Sequence, residues 1–255
     1  MAFSLGIIAA VIALLNYSGR DYLVFASNAL NLAVVVPFIV LSVFLAVRNK
    51  ISGSFGKAWI CFAIFAVCWS AGEIIWAADE LVFEQNPFPS EADFFWLLGY
   101  PAYFTFAILY LGPFKNSISK KILALAVSVS IALMAFLVYC AITKSELPGF
   151  ETALLTLYPI GDAICLAPTI IGLALFFRGQ VNFTWLLLLV GMFSFVVADS
   201  AYQIISQTGN YYTGHPFDIV YIWAYVFFVF GLYHHIGVFR TRNQENKFYD
   251  QTSLR

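Results

Sequence analysis

The 255-residue chain is 62% hydrophobic and 18% aromatic, with 11% charged residues and a formal net charge of −1. A soluble domain of this size cannot hide that much apolar surface, so the composition points to an all-α integral membrane protein. With no basic face anywhere, nucleic acid is excluded as a partner.

A membrane-crossing helix needs about 20 mostly apolar residues. In chain order the apolar runs lie near residues 2–16, 27–48, 57–80, 92–113, 121–142, 153–177, 183–206 and 217–239, giving about eight transmembrane helices. The first run is the shortest. It lacks the basic n-region of a cleaved signal peptide and is therefore read as a retained helix beginning almost at Met1. The longest polar segment, from Thr241 to Arg255, is too short for a soluble domain, so any output is expected to come from another polypeptide.

The basic residues fix a topology. Arg48, Lys50, Lys57, Lys115, Lys120, Lys121, Arg178, Arg240, Arg242, Lys247 and Arg255 fall on one side of an eight-span arrangement, leaving Arg20 and Lys144 on the other. By the positive-inside rule the first set is cytoplasmic, and so are both termini of a multi-pass protein of the cell membrane. The acids segregate oppositely: Glu73, Asp93, Asp162, Asp199 and Asp218 lie in or at the edge of apolar helices, toward the outer half of the bilayer.

The chain also repeats itself. Trp59–Phe114 can be laid over Trp185–Phe239 at a nearly constant offset, so that Glu73 and Trp76 match Asp199 and Tyr202. Each pair is three residues apart and shares one helix face. After a loop, Pro89-Ser90-Glu91-Ala92-Asp93 with Trp96, Gly99 and Tyr100 corresponds to His215-Pro216-Phe217-Asp218 with Tyr221, Ala224 and Tyr225. Further back, Asn31, Pro37 and Arg48 fall opposite Asp162, Pro168 and Arg178 with one residue of slippage. Four helices per copy is an even number, so two parallel four-helix repeats are expected, over 1–116 and 117–240, followed by a cytoplasmic tail over 241–255. The sets Asn31, Glu73, Asp93 and Asp162, Asp199, Asp218 then face each other across a shared volume.

An ionisable group at depth in a bilayer is costly unless it faces protein or water, which makes these acids functional candidates. Glu73 sits about seven residues before its helix ends, on the order of 10 Å below the surface, and Asp199 is at the equivalent depth. Asp93 and Asp218 are shallower and have a competing role, because Ser90-Glu91-Ala92-Asp93 has capping-box spacing and Asp218 follows Pro216 in a first turn. Asp162, in Tyr158-Pro159-Ile160-Gly161-Asp162, is expected beside a broken or kinked helix lining a vestibule. Trp76, Trp96, Tyr100, Tyr158, Tyr202 and Tyr225 accompany the acids at helical spacing, either as a wall around a cation or as an interfacial belt.

Other chemistry has little support. Cys61, Cys68, Cys140 and Cys165 sit inside apolar runs without CxxC spacing, and His234 and His235 adjoin the cytoplasmic end of the last helix as interfacial residues. No metal-ligand spacing, cofactor motif or catalytic triad is present, so a non-enzymatic protein without a cofactor is expected.

Three fragments, Pro89-Ser90-Glu91-Ala92-Asp93 with Trp96-Leu97-Leu98-Gly99-Tyr100-Pro101, Tyr158-Pro159-Ile160-Gly161-Asp162, and Pro216-Phe217-Asp218 leading to Tyr225, carry a resemblance. The chain resembles the multi-helix membrane region found ahead of catalytic domains in bacterial diguanylate cyclase proteins. That resemblance implies a sensory module whose outer acids and aromatics contact a signal. The chain departs from the family in having no cyclase after Arg240, and Tyr221 and Ala224 in place of the usual Trp and Gly. The expected function is a membrane sensor or ligand-binding module with an acidic, aromatic-lined outer cavity, acting through a cytoplasmic or membrane signalling partner. The alternatives are a small secondary transporter for a cation or small amphiphile, and a structural subunit of a membrane complex. The partners expected are the lipid bilayer, a small ligand or cation, and a second copy of the chain in a homo-oligomer.

Overall fold

Eight α-helices make up the computed structural model, which describes residues 1–17, 20–144, 147–177, 182–207 and 209–253, and no strand occurs among these residues. They are α1 (Ala2–Leu15), α2 (Arg20–Asn49), α3 (Gly53–Leu81), α4 (Glu91–Leu111), α5 (Lys120–Lys144), α6 (Gly149–Phe176), α7 (Asn182–Ser206) and α8 (Asp218–Ser253). Arg178 and Arg255, assigned above to the cytoplasmic side, lie outside the described residues.

Seven of the helices, α2 to α8, contain an apolar stretch long enough to cross a membrane. Helix α1 has 14 residues, about 21 Å at 1.5 Å per residue, and is shorter than the roughly 30 Å hydrocarbon layer. It is nevertheless tied to the bundle: Trp223 donates its indole N–H to the Leu5 carbonyl at 3.1 Å, and Tyr212 donates to Asn16 Oδ1 at 2.9 Å. Helix α8 has 36 residues and continues past its apolar part, so the polar segment read as a separate tail extends the last helix through Ser253.

The outward faces match a lipid solvent. Helix α5 presents Leu125, Val129, Phe136 and Ile142, and α2 presents Val36, Val40 and Val47, all exposed. Patches of this extent are rare on water-soluble monomers. Together with the seven long apolar helices they make the chain a multi-pass helical membrane protein.

Inside, α3 packs against α2 and α4, and α7 against α6 and α8, while the N- and C-terminal halves meet where α4 lies on α6 and α8 on α2. The centre is aromatic. Phe38, Phe62, Phe65, Phe106, Phe195 and Phe228 are all buried, and Phe228 stacks on both Phe38 and Phe195 with ring centroids 5.7 Å apart. Such pairs add about 0.5–1.5 kcal/mol each beyond simple burial.

Two tryptophans of α3 and α4 sit directly over glycines of the facing helix. A Cβ on Gly72 would stand 2.6 Å from the Trp96 indole, and one on Gly99 would stand 2.2 Å from the Trp69 indole, so α3 and α4 lock by a reciprocal tryptophan-over-glycine contact.

Two expectations need correction. Of the broken or kinked helix expected at Tyr158–Asp162, the break is absent, and α6 continues through Pro159 and Pro168. Gly161 there is a contact point, since a Cβ would lie 2.5 Å from Tyr100 Cδ2, and it gives the Tyr100 ring its place against α6. His235 is not interfacial either. It is buried, with its ring centroid 4.6 Å from that of Trp59, because the aromatic centre extends to that end of α8.

Candidate functional site

Between α2, α3, α4, α6, α7, α8 and the α7–α8 loop lies a cavity that offers about 90 Å³ to the centres of water-sized molecules. One water needs roughly 10–15 Å³ on that measure, so the space accommodates a small organic group. Of the twelve residues singled out from sequence, ten line it: Asn31, Glu73, Trp76, Trp96, Tyr100, Tyr158, Asp199, Tyr202, Asp218 and Tyr225. The aromatic residues among them form cavity wall, and Tyr100, Tyr158 and Tyr225 are buried, unlike members of an interfacial belt.

Glu73 and Asp199, the acids at matching positions on α3 and α7, are each held by side chains from two other helices. Glu73 accepts from Asn31 of α2 through Oε2 and from Tyr225 of α8 through Oε1, the latter at 2.7 Å. Asp199 accepts from Tyr221 of α8 and from Tyr100 of α4, the latter at 3.1 Å. Tyr100 reaches across to the second half and Tyr225 reaches back to the first. Both acids keep partial solvent accessibility, and because they line the cavity that accessible surface opens into it.

Asp93 and Asp162 are buried behind the wall. Asp93 completes the capping box of α4: Ser90 N–H donates to Asp93 Oδ2 at 2.8 Å, and Ala92 N–H donates to Ser90 Oγ at 3.2 Å. Its other oxygen accepts from Tyr158, so a capping carboxylate also fixes a cavity tyrosine. Asp162 is 1% exposed and accepts from Tyr100 at 3.0 Å.

Asp218 has both roles anticipated for it, as a first-turn acid of α8 and as cavity lining. Gly214 N–H donates to its Oδ2 at 2.8 Å, and the Tyr211 hydroxyl lies 3.2 Å from each oxygen. Burial, and secondarily the adjacent Asp218 carboxylate, hold the Tyr211 phenol well above its ordinary range, so it stays protonated as a donor.

Sequence reasoning missed Ser27, Asn28, Trp69, Phe195, Tyr211, Thr213, Tyr221 and Ile222, which complete the lining. Trp69 and Phe195 each stand one turn before an acid, Glu73 and Asp199, on the same helix face. Thr213 and Asn28 both bind Glu80, the latter at 2.7 Å, and fasten the loop over α2 and α3. That loop folds inward at Gly214, whose φ of +89° and 2.4 Å approach to Leu23 only glycine tolerates.

Among the described residues, no Lys, Arg or His lines the cavity. Its chemistry is that of paired carboxylates, phenolic hydroxyls and aromatic faces, suited to holding positive charge on an apolar body. Among the described residues, no group of three or more His, Cys, Asp and Glu converges as a metal site requires. No protein-family model, no curated protein and no solved structure matches the chain.

Proposed function

We propose that the chain is a non-enzymatic membrane sensor or ligand-binding module, whose cavity takes a small cation or amphiphile from the outer side and reports through helix movement to a partner protein. One observation carries this reading: acids and tyrosines from both halves of the chain converge on one cavity and hydrogen-bond across the boundary between them. A ligand there touches both halves at once and favours one of their relative arrangements over another.

Several observations support the wider reading. The α4–α6 and α8–α2 contacts relate the halves as two parallel repeats would. Helices α3 and α7 are four helices apart, so their matched orientation holds whether or not α1 crosses the bilayer. The separation of basic and acidic segments favours cytoplasmic Lys50, Lys57, Lys115 and Lys120, with the cavity mouth outside. The resemblance to membrane regions that precede diguanylate cyclases agrees with signalling.

The test is thermal unfolding of the purified protein against a panel of organic cations and neutral amphiphiles. At least one compound raises Tm, and Glu73→Gln and Asp199→Asn abolish that rise. A flat response across the panel removes the reading.

A transporter is the second reading, favoured by Pro101 and Pro159, which directly follow the cavity tyrosines Tyr100 and Tyr158 inside α4 and α6. Each proline deletes a backbone hydrogen bond and offers a hinge beside the site. Solute flux into liposomes under a gradient is its signature.

A further inference from the structure

Among the described residues, the acids of this cavity have no positively charged partner. Tyr100 has one hydroxyl hydrogen, yet its oxygen lies 3.0 Å from Asp162 Oδ1 and 3.1 Å from Asp199 Oδ2. The two carboxyl groups also lie within hydrogen-bonding reach of each other. Asp162 Oδ2 is buried and has no N–H or O–H donor among the described residues. Two ionised carboxylates at that separation repel strongly, and one proton held between them removes the repulsion.

Among the described side chains, none supplies a positive charge to the pair. The titratable groups facing the pair are Tyr100 on α4, Tyr158 and Cys165 on α6, Tyr202 on α7 and Tyr221 on α8. Beyond them stand Glu73 on α3, another acid, and its donor Tyr225 on α8. Helix α5, which also packs on α6, contributes no charged group to this set among its described side chains.

Asp199 lines the cavity and Asp162 does not. We propose that Asp162, Asp199 and Tyr100 form a proton-binding site that empties when an organic ammonium ion occupies the cavity. Around the space in front of Asp199, Trp76, Tyr202 and Tyr211 present aromatic rings in edge-to-face contact, the surface that attracts an alkylammonium group. The exchange balances: the ammonium places one positive charge beside Asp199, the shared proton leaves Asp162 for bulk water, and the net charge of the site is unchanged. No covalent bond is made or broken apart from the O–H.

This inference rests on the cavity-binding reading above and is tested separately from it. The probe is benzyltrimethylammonium, whose fixed charge carries no titratable proton. Titration calorimetry of the full chain in two buffers of different ionisation enthalpy counts protons released on binding. The expected result is saturable binding with release of about one proton per cation, and affinity that rises about tenfold per pH unit while the free protein holds that proton. Asp162→Asn, which cannot share the proton, binds the cation without releasing one. The wild-type proton count decides the matter even if that variant does not fold. Cation binding without proton release overturns the proposal, as does equal binding of the neutral isostere neopentylbenzene, and in both cases the cavity reading stands. If neither compound binds while another member of the panel does, the ammonium assignment alone falls. If nothing in the panel binds, the cavity reading falls as well.

Discussion

Tyr225 on α8 donates its hydroxyl to Glu73 on α3 at 2.7 Å, joining residues 152 positions apart in the chain. Tyr100 makes the matching bond in the opposite direction, to Asp199. Hydrogen bonds between membrane helices average about 0.6 kcal/mol and reach about 1.7, and a carboxylate acceptor favours the upper end. Tyr225→Phe and Tyr100→Phe are each expected to lower unfolding stability by about 1–2 kcal/mol. Denaturation of the purified variants measures this, and losses within error of zero would mean that these bonds do not join the halves.

Glycine contacts make a sharper prediction. Alanine in place of glycine favours an isolated helix by about 1 kcal/mol, so a gain is expected wherever there is room. Gly6→Ala has nothing within 4 Å of the new Cβ and is expected to be neutral or stabilising. Gly161→Ala places the Cβ 2.5 Å from the Tyr100 ring, which two carboxyl groups hold in position, and Gly99→Ala places it 2.2 Å from Trp69. Overpacking costs about 1–3 kcal/mol, so both variants are expected to unfold at lower temperature despite their better helix propensity. A rise in Tm for Gly161→Ala would show that Tyr100 is free to move.

These two cases also separate what the chain discloses in one dimension from what it conceals. The helices and their membrane character follow from the length of apolar runs, and the shared face of Glu73 with Trp76, or Asp199 with Tyr202, follows from the 3.6-residue period. Periodicity assigns a face but no depth. The alignment of Asp93 with Asp218 and the Pro159–Gly161 signal beside Asp162 give no depth either, and Tyr158 and Tyr100 stand in front of these two acids. Tyr211 and Thr213 were invisible because a loop has no period, and their placement depends on the turn at Gly214. Pro159 and Gly161 read locally as helix breakers, yet the neighbouring helices hold α6 intact and use the missing Cβ for packing.

Asp93 allows the two roles of an acid near the cavity to be separated. Ser90→Ala removes the acceptor for Ala92 N–H while leaving the bond from Ser90 N–H to Asp93 in place. Loss of an N-cap side chain typically costs about 1 kcal/mol. The expected outcome is a lower Tm with unchanged ligand-induced stabilisation, because neither Ser90 nor Asp93 lines the cavity. Loss of ligand response at equal stability would move Asp93 into the binding surface.

Sidedness is open to direct chemical mapping. Asn86, in the α3–α4 connection, and Asn116, between α4 and α5, are both exposed and lie at opposite ends of α4. The basic cluster Lys115, Lys120 and Lys121 surrounds Asn116, whereas Glu84 and Glu91 flank Asn86, so the positive-inside rule assigns Asn116 to the cytoplasm. With the four native cysteines replaced, Asn86→Cys is expected to react with a membrane-impermeant maleimide in intact cells, and Asn116→Cys only after permeabilisation. The reverse pattern would turn the mouth of the cavity toward the cytoplasm, and the ligand would then have to be an intracellular one.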